Sequence, residues 1–351
     1  MRWNKFHEKL TNWELWPFTL IYAPLGPLWL WYVIKAKTFW WFSPANPTLT
    51  FAGFDGETKR EMYDLLPEGT YPKTIYISPQ MTWDEVKVLI RDNAFTYPIC
   101  VKPDVGLKGL LFRKVDDEEK LKIYHQKVPL DYVIQEMIEA PLEVSVFYYR
   151  YPNQPKGVIS GFIQKDMMHV VGDGKTTLWN LILQHPKAAH RLEEMRIKHE
   201  KALEQIVRNG DQYILAHAAN LNRGAKFTDL KELIDEQLLS LFDPLSHRCQ
   251  WYYGRYDLKC NSIEELKQGR FIILEFNGAG AEPNHVYNAG YSWGGALKVF
   301  AHHWNVLYKI GKYNNKQNGV RYWGNGEGKK WMKQARKHGE LLEKLDREVL
   351  I

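Results

Sequence analysis

Cysteine is nearly absent from this chain: Cys100, Cys249 and Cys260 are the only three in 351 residues, odd in number and without a C-x-x-C spacing. That excludes a disulfide framework and signals no zinc site, so a reducing cytoplasm is the expected compartment. An uninterrupted apolar helix is lacking too. Residues 15–34, L-W-P-F-T-L-I-Y-A-P-L-G-P-L-W-L-W-Y-V-I, carry no charge and as one helix would just span a hydrocarbon core of about 30 Å. Pro17, Pro24, Gly26 and Pro27 interrupt that helix, and no small-x-small cleavage site follows to make a signal peptide. A basic stripe across the body is also missing. Residues 1–42 hold five Lys/Arg against two Asp/Glu and residues 309–351 eleven against five, which leaves the body at −3 of the total +6. A nucleic-acid reader would carry its positive charge across the fold itself. Finally, H-V-V-G-D-G-K-T-T-L-W-N-L-I at 169–182 has His169 where a P-loop needs glycine.

With 45% hydrophobic and 25% charged residues the composition is globular, and the length suits two or three lobes. Residues 1–42 concentrate seven of the fourteen tryptophans. Trp and Tyr favour the headgroup level of a bilayer, so this stretch reads as a Trp-rich membrane-interacting segment, lying in one leaflet or dipping in and out. A true span, and an arm packed on the body or on a partner, are the other arrangements open to it. In the tail, Lys329, Lys330, Lys333, Arg336 and Lys337 surround Trp331 and Met332, a basic amphipathic helix suited to anionic lipid or a solvated terminal helix. Basic ends on a mildly acidic body suit a domain held at the cytoplasmic face of a membrane.

Between the ends, S-P-A-N-P is a rigid turn, F-A-G-F-D-G-E-T-K-R-E-M-Y a glycine loop entering a helix, and T-I-Y-I-S a strand. Thr82 with Glu85 three residues on makes a capping box, so residues 43–92 read as a small α/β lobe. A strand carrying Lys102, then a loop with Gly106 and Gly109, supplies one fixed cation and a flexible lid for a polyphosphate; a plain hairpin with surface lysines would look the same. V-I-Q-E-M-I is a buried strand leading to a linker, with Glu136 and Glu143 seven residues apart. In Y-Y-G-R-Y-D-L-K-C and F-I-I-L-E-F-N-G-A-G-A-E-P-N-H, period-2 alternation puts Glu275 and Asn277 on one face, and Asp257 adds a third oxygen. Three hard oxygens suit Mg²⁺ completed by phosphate; solvent-facing strands are the other reading. The Gly278–Ala281 turn lets backbone N–H groups approach an anion.

Taken in order, K-P-x-x-G-x-x-G, Q-E-M-I with its second glutamate, R-x-D and E-x-N-G resemble the ATP-grasp superfamily, nearest to D-alanyl-D-alanine ligases and the ligase part of cyanophycin synthetases, over about residues 55–300. The resemblance implies an α+β, ATP-grasp fold: two α+β lobes gripping ATP over residues 93–310, with a helical insert at about 184–250. The small lobe precedes it and a basic tail, 311–351, follows. It further implies an ADP-forming carboxylate–amine ligase working through an acyl phosphate with ATP and two Mg²⁺ ions.

By position, Lys59 and Lys102 resemble the phosphate lysines, with Gly106 and Gly109 in the lid. Glu136 with Met137 and Ile138 resembles the adenine edge, and Glu143 the ribose ligand. Arg255 would hold a phosphoryl oxygen, Asp257, Glu275 and Asn277 the metal, and the backbone at Gly278 and Gly280 a developing oxyanion. Lys165 is a candidate on the phosphate or acceptor side. The insert departs from compact D-alanine ligases and offers His217, Asn222 and Arg223 as substrate contacts. A kinase lacking the amine pocket, and a nucleotide-binding membrane scaffold, would share the nucleotide site. The acid and the amine stay unnamed, and a lipid-linked and a soluble substrate both fit.

Overall fold

The structure, a computed structural model, describes residues 11–216 and 224–349. His217, Asn222 and Arg223 lie outside the described residues. The fold is a mixed α/β arrangement built on antiparallel sheets. Eleven strands are described: β1 (Thr74–Ile77), β2 (Ile99–Pro103), β3 (Arg113–Val115), β4 (Tyr132–Glu136), β5 (Leu142–Tyr149), β6 (Val158–Asp166), β7 (His169–Val171), β8 (Gln212–Ile214), β9 (Lys226–Asp229), β10 (Tyr253–Cys260) and β11 (Ile272–Asn277). They form a four-stranded sheet in the order β1-β4-β2-β3, a five-stranded sheet β11-β10-β5-β6-β9 and a β7-β8 ribbon.

The capping box forms as read, with Thr82 and Glu85 closing the N-terminus of the helix Trp83–Asp92. Residues 43–92, however, are not a lobe with a sheet of their own. The backbone groups of β1 find their partners on β4, Ile75 opposite Ile134, because an isolated four-residue strand cannot satisfy its own N–H and C=O groups. Within the insert, residues 186–209 are a charged run. It yields the seven-residue helix Leu192–Lys198 between 3-10 turns, with Met195 its only buried residue. One apolar contact per two turns is too little to hold a longer helix in place. The ribbon and these short helices instead share a small core around Met168, Leu178, Ile182, Met195 and Leu215.

Both chain ends pack on the body. Residues 15–34 form the helix Phe18–Tyr22, a 3-10 turn and the helix Gly26–Ala36, with Pro24 and Pro27 at first-turn positions where no N–H is needed. Tyr22 and Tyr32 stack on Phe300 and Tyr308 of the long helix Trp293–Gln317, and Trp29 packs edge-on against its Trp304. The four-residue spacing on that helix makes one ridge, and the three- and seven-residue spacings on the arm make a complementary one. Trp41 and Phe42 are fully buried in the same core as Phe51 and Ala279, so a boundary at residue 42 cuts through packed side chains. No helix among the described residues is long and apolar enough to cross a membrane. At the other end the helix Asn325–Glu348 lays Leu342 and Leu345 on the four-stranded lobe, and Asp346 pairs with Arg113 at 2.9 Å.

Candidate functional site

Period-2 geometry gives the five-stranded sheet two unlike faces. Val144, Val146 and Tyr148 of β5, Tyr256 and Leu258 of β10, and Ile273 and Phe276 of β11 make one continuous apolar core with the helix Glu236–Cys249. The residues between them point the other way. Asp257 lies opposite Glu275 on one side and Ser145 on the other, Arg255 opposite Asn277, and Glu143 opposite Lys165 and Lys259. Cross-strand partners share a face, so these groups converge.

All of them but Ser145 line a cleft of about 740 Å³ whose other walls are Lys59, Lys102, the loop with Gly106 and Gly109, and Glu136 to Glu139. Of the groups singled out in the sequence, Lys59, Lys102, Gly106, Gly109, Glu136, Met137, Ile138, Glu143, Lys165, Arg255, Asp257, Glu275, Asn277 and Gly280 all reach this cleft. Strands as distant in sequence as β2 and β11 meet there.

Lys59 is buried, and its ammonium stands 3.4 Å from Glu275 Oε1. A Cβ on Gly106 would come 2.8 Å from that nitrogen, so the loop passes close over the ammonium. Lys102 Nζ reaches the Tyr63 hydroxyl at 3.5 Å. Arg255 forks onto Asp257, Nε to Oδ1 at 3.0 Å and Nη2 to Oδ2 at 3.2 Å, and Lys165 meets the same carboxylate at 3.0 Å. Ser145 and Asn277 also donate to it. Burial alone would raise the Asp257 carboxyl, but Arg255 and Lys165 hold it below the ordinary carboxylate range. Glu275 is likewise raised by burial and brought below its usual value by Lys59 and Lys102. Glu143, 3.4 Å from Lys165, is pushed up by burial.

Glu136 Oε1 accepts from the Lys73 backbone N–H at 2.7 Å, and the Ile138 carbonyl accepts from Lys259 Nζ at 2.8 Å. The acid and the linker are therefore held in place by β1 and β10.

Two carboxylates and an amide on adjacent strands are hard oxygen donors of the kind Mg²⁺ takes. Among the described residues no group of three or more His, Cys, Asp or Glu side chains could hold a metal alone. The residues therefore fit an ion that shares its shell with phosphate oxygens, and do not fit an all-protein cage.

The glycine turn departs from expectation. Three of its four N–H groups are already engaged: Ala279 donates to Ala52 O at 2.9 Å, Gly280 to Gly53 O at 3.1 Å, and Ala281 to Gly278 O at 2.9 Å. A Cβ on Gly278 would meet Ala52 O at 2.4 Å and one on Gly280 would meet Phe54 O at 2.1 Å. Close approach of residues 52–54, and not an anion, explains both glycines. That segment is locked by buried Asn46, whose amide donates to Ala52 O and Tyr253 O and accepts from Tyr252 and Tyr253 N–H.

Three further cleft groups carry no sequence signal. Glu57 sits two residues before Lys59, and burial pushes its carboxyl up to about 7. Glu282 and Asn284 follow the glycine turn. Only their place in the fold reveals them.

No family model matches the chain, and no curated protein matches it. Solved structures that resemble it include a D-alanine–D-alanine ligase from Bacillus anthracis complexed with ATP, 15% identical over 76% of this chain and 71% of that one, with a TM-score of 0.41. The VanG D-Ala:D-Ser ligase from Enterococcus faecalis is 12% identical over 74% and 62%, also at 0.41. The D-cycloserine synthetase DcsG is 14% identical over 71% and 70%, at 0.41.

Proposed function

We propose that this protein is an ATP-dependent carboxylate–amine ligase that forms an amide through an acyl phosphate at the cytoplasmic face of a membrane. The observation that carries this is one cleft uniting Lys59, Lys102, Lys165 and Arg255 with Asp257, Glu275 and Asn277. Lys59 and Lys102 balance phosphate charge, and the edge from Glu136 to Ile138 takes a flat base, with Glu143 beside the ribose. Asp257, Glu275 and Asn277 would hold Mg²⁺, two ions in the full reading, which when bound neutralises charge on the transferring phosphoryl group. Arg255 would hold a phosphoryl oxygen, and with three of the glycine-turn N–H groups engaged its remaining N–H groups can also meet a developing oxyanion. No covalent nucleophile is required: Cys100 lines the cleft, but burial pushes its thiol up, away from the reactive thiolate.

The membrane part of the reading rests on the outer side of the arm. Phe18, Leu20, Leu30, Trp31, Ile34 and Phe39 are all more than half exposed, six large apolar side chains within twenty-two residues that a membrane-facing surface would carry. Lys35 lies over the Trp31 ring at 4.4 Å, placing a cation where anionic headgroups would meet it. The fold supports shallow seating of this face and no crossing.

The test is release of ADP and phosphate from the full chain with Mg²⁺, screened over carboxylate and amine pairs, with and without lipid extract. Release that needs both partners is the expected result. A phosphorylated product formed without amine would make the protein a kinase, and ATP binding without release would make it a scaffold.

A further inference from the structure

Glu282 stands at the cleft beside Arg255, whose Nη1 donates to its backbone carbonyl at 3.4 Å. Its carboxylate is held from one side. Oε1 accepts from the Tyr22 hydroxyl at 2.7 Å and from the Tyr287 hydroxyl at 2.6 Å. Burial first, and Glu282 second, hold both phenols well above their usual range, so they remain donors. Among the described residues no side chain forms an ion pair with this carboxylate, both phenols bind Oε1, and Met167, Ile214, Phe227 and Asn284 line the same cleft. Of the other acids of the site, Glu143, Asp257 and Glu275 are matched by a lysine or arginine and Glu136 by a backbone donor. A carboxylate fixed by two phenols, in largely apolar surroundings and next to the phosphoryl-handling arginine, is complementary to a small cation with an apolar body.

We propose that Glu282 binds the ammonium group of the amine substrate through Oε2, with Tyr22 and Tyr287 as positioning residues. This rests on the ligase reading. It narrows the amine to one that enters as a primary or secondary ammonium with an apolar neighbour, and it makes the N-terminal arm, through Tyr22, part of the acceptor pocket.

Calorimetric titration of the full chain with n-butylammonium chloride, under saturating ATP and Mg²⁺, tests it, with 1-pentanol as the uncharged control. Butylammonium should bind the wild type and lose about tenfold or more in affinity to Glu282→Gln, the loss expected for a charge-assisted hydrogen bond. Pentanol should not distinguish the two proteins, and ATP affinity should be equal in both. Equal butylammonium affinity in the two proteins, or none in the wild type, overturns the proposal. Failure of the wild type to bind ATP would instead overturn the ligase reading. Should Glu282→Gln not fold, Tyr287→Phe keeps the ring and removes one donor: weaker butylammonium binding at unchanged ATP affinity supports the assignment, and unchanged binding overturns it.

Discussion

Glu275 and Phe276 are neighbours in sequence and face in opposite directions from β11. The first meets Lys59 across the cleft, and the second stacks on Trp251 at 4.2 Å in the apolar core. The arm repeats the contrast two residues apart: Trp29 packs edge-on against Trp41 and Trp304, whereas Trp31 is 53% exposed. In both places the residue type says little about the job, and the facing direction decides it. A strand or helix can therefore carry stability on one side and chemistry or attachment on the other with little interference.

The sharpest separation is expected from substitutions at 275 and 276. Glu275→Gln should lower turnover by about 10⁴-fold, equivalent to about 5 kcal/mol of barrier, and leave nucleotide affinity measurable and the melting temperature nearly unchanged. Steady-state kinetics with a nucleotide titration checks this, and comparable phosphate release from mutant and wild type would remove Glu275 from the metal site. Phe276→Ala should do the reverse, costing about 4 kcal/mol in urea unfolding while the folded fraction keeps its KM for ATP. Equal activity losses in the two variants would break the contrast between the faces.

A smaller effect comes from the end of the charged face that is not charged. Beyond Arg255 that side is closed by Phe147 with the rings of His303 and His285, the latter lying over Gly161. Burial holds the His285 imidazole down at about 4 from an ordinary 6.5. The unfolded chain then binds the extra proton between those values, so the stability contribution is complete above pH 6.5 and is lost as the pH falls toward 4, by up to about 3 kcal/mol. Urea unfolding at pH 7 and pH 4.5 should show that loss, and His285→Gln should reduce it; an identical slope in the variant would acquit His285.

The smallest effect on stability is expected on the outside of the arm. Trp31→Glu with Ile34→Glu should change unfolding free energy by no more than about 0.5 kcal/mol each. Sedimentation with anionic vesicles should nevertheless fall sharply, and wild-type binding should survive high salt because buried apolar area dominates it. Vesicle binding unchanged by the pair would remove the outer face from the membrane reading.

Local periodicity made β10 and β11 legible, and with them the convergence of Asp257, Glu275 and Asn277, because alternation along a strand is written in consecutive residues. Lys102 could be found because loop glycines accompany it, and Lys59 only through the family resemblance of its position. Glu282 could not, since its two phenols come from positions 22 and 287 and no local pattern links an arm to a turn 260 residues away. The glycine turn was misread for a related reason. An anion and a neighbouring strand of backbone make the same demand for a missing Cβ, and which of them is present depends on residues 52–54. The grouping of β1 with β4 was hidden likewise, because strand pairing is settled by partners in space.

The hydrogen bonds from Ala279 and Gly280 to Ala52 and Gly53 also have a kinetic meaning. They fasten together two stretches more than 220 residues apart, so closing that loop costs chain entropy before it returns any contact. On the ribosome, the early segment must wait, its unpaired carbonyls solvated, until the turn after β11 has been made. The cleft is therefore among the last parts of the molecule to take shape, and a chain stopped before that turn emerges lacks the wall that holds Glu275 and Asn277.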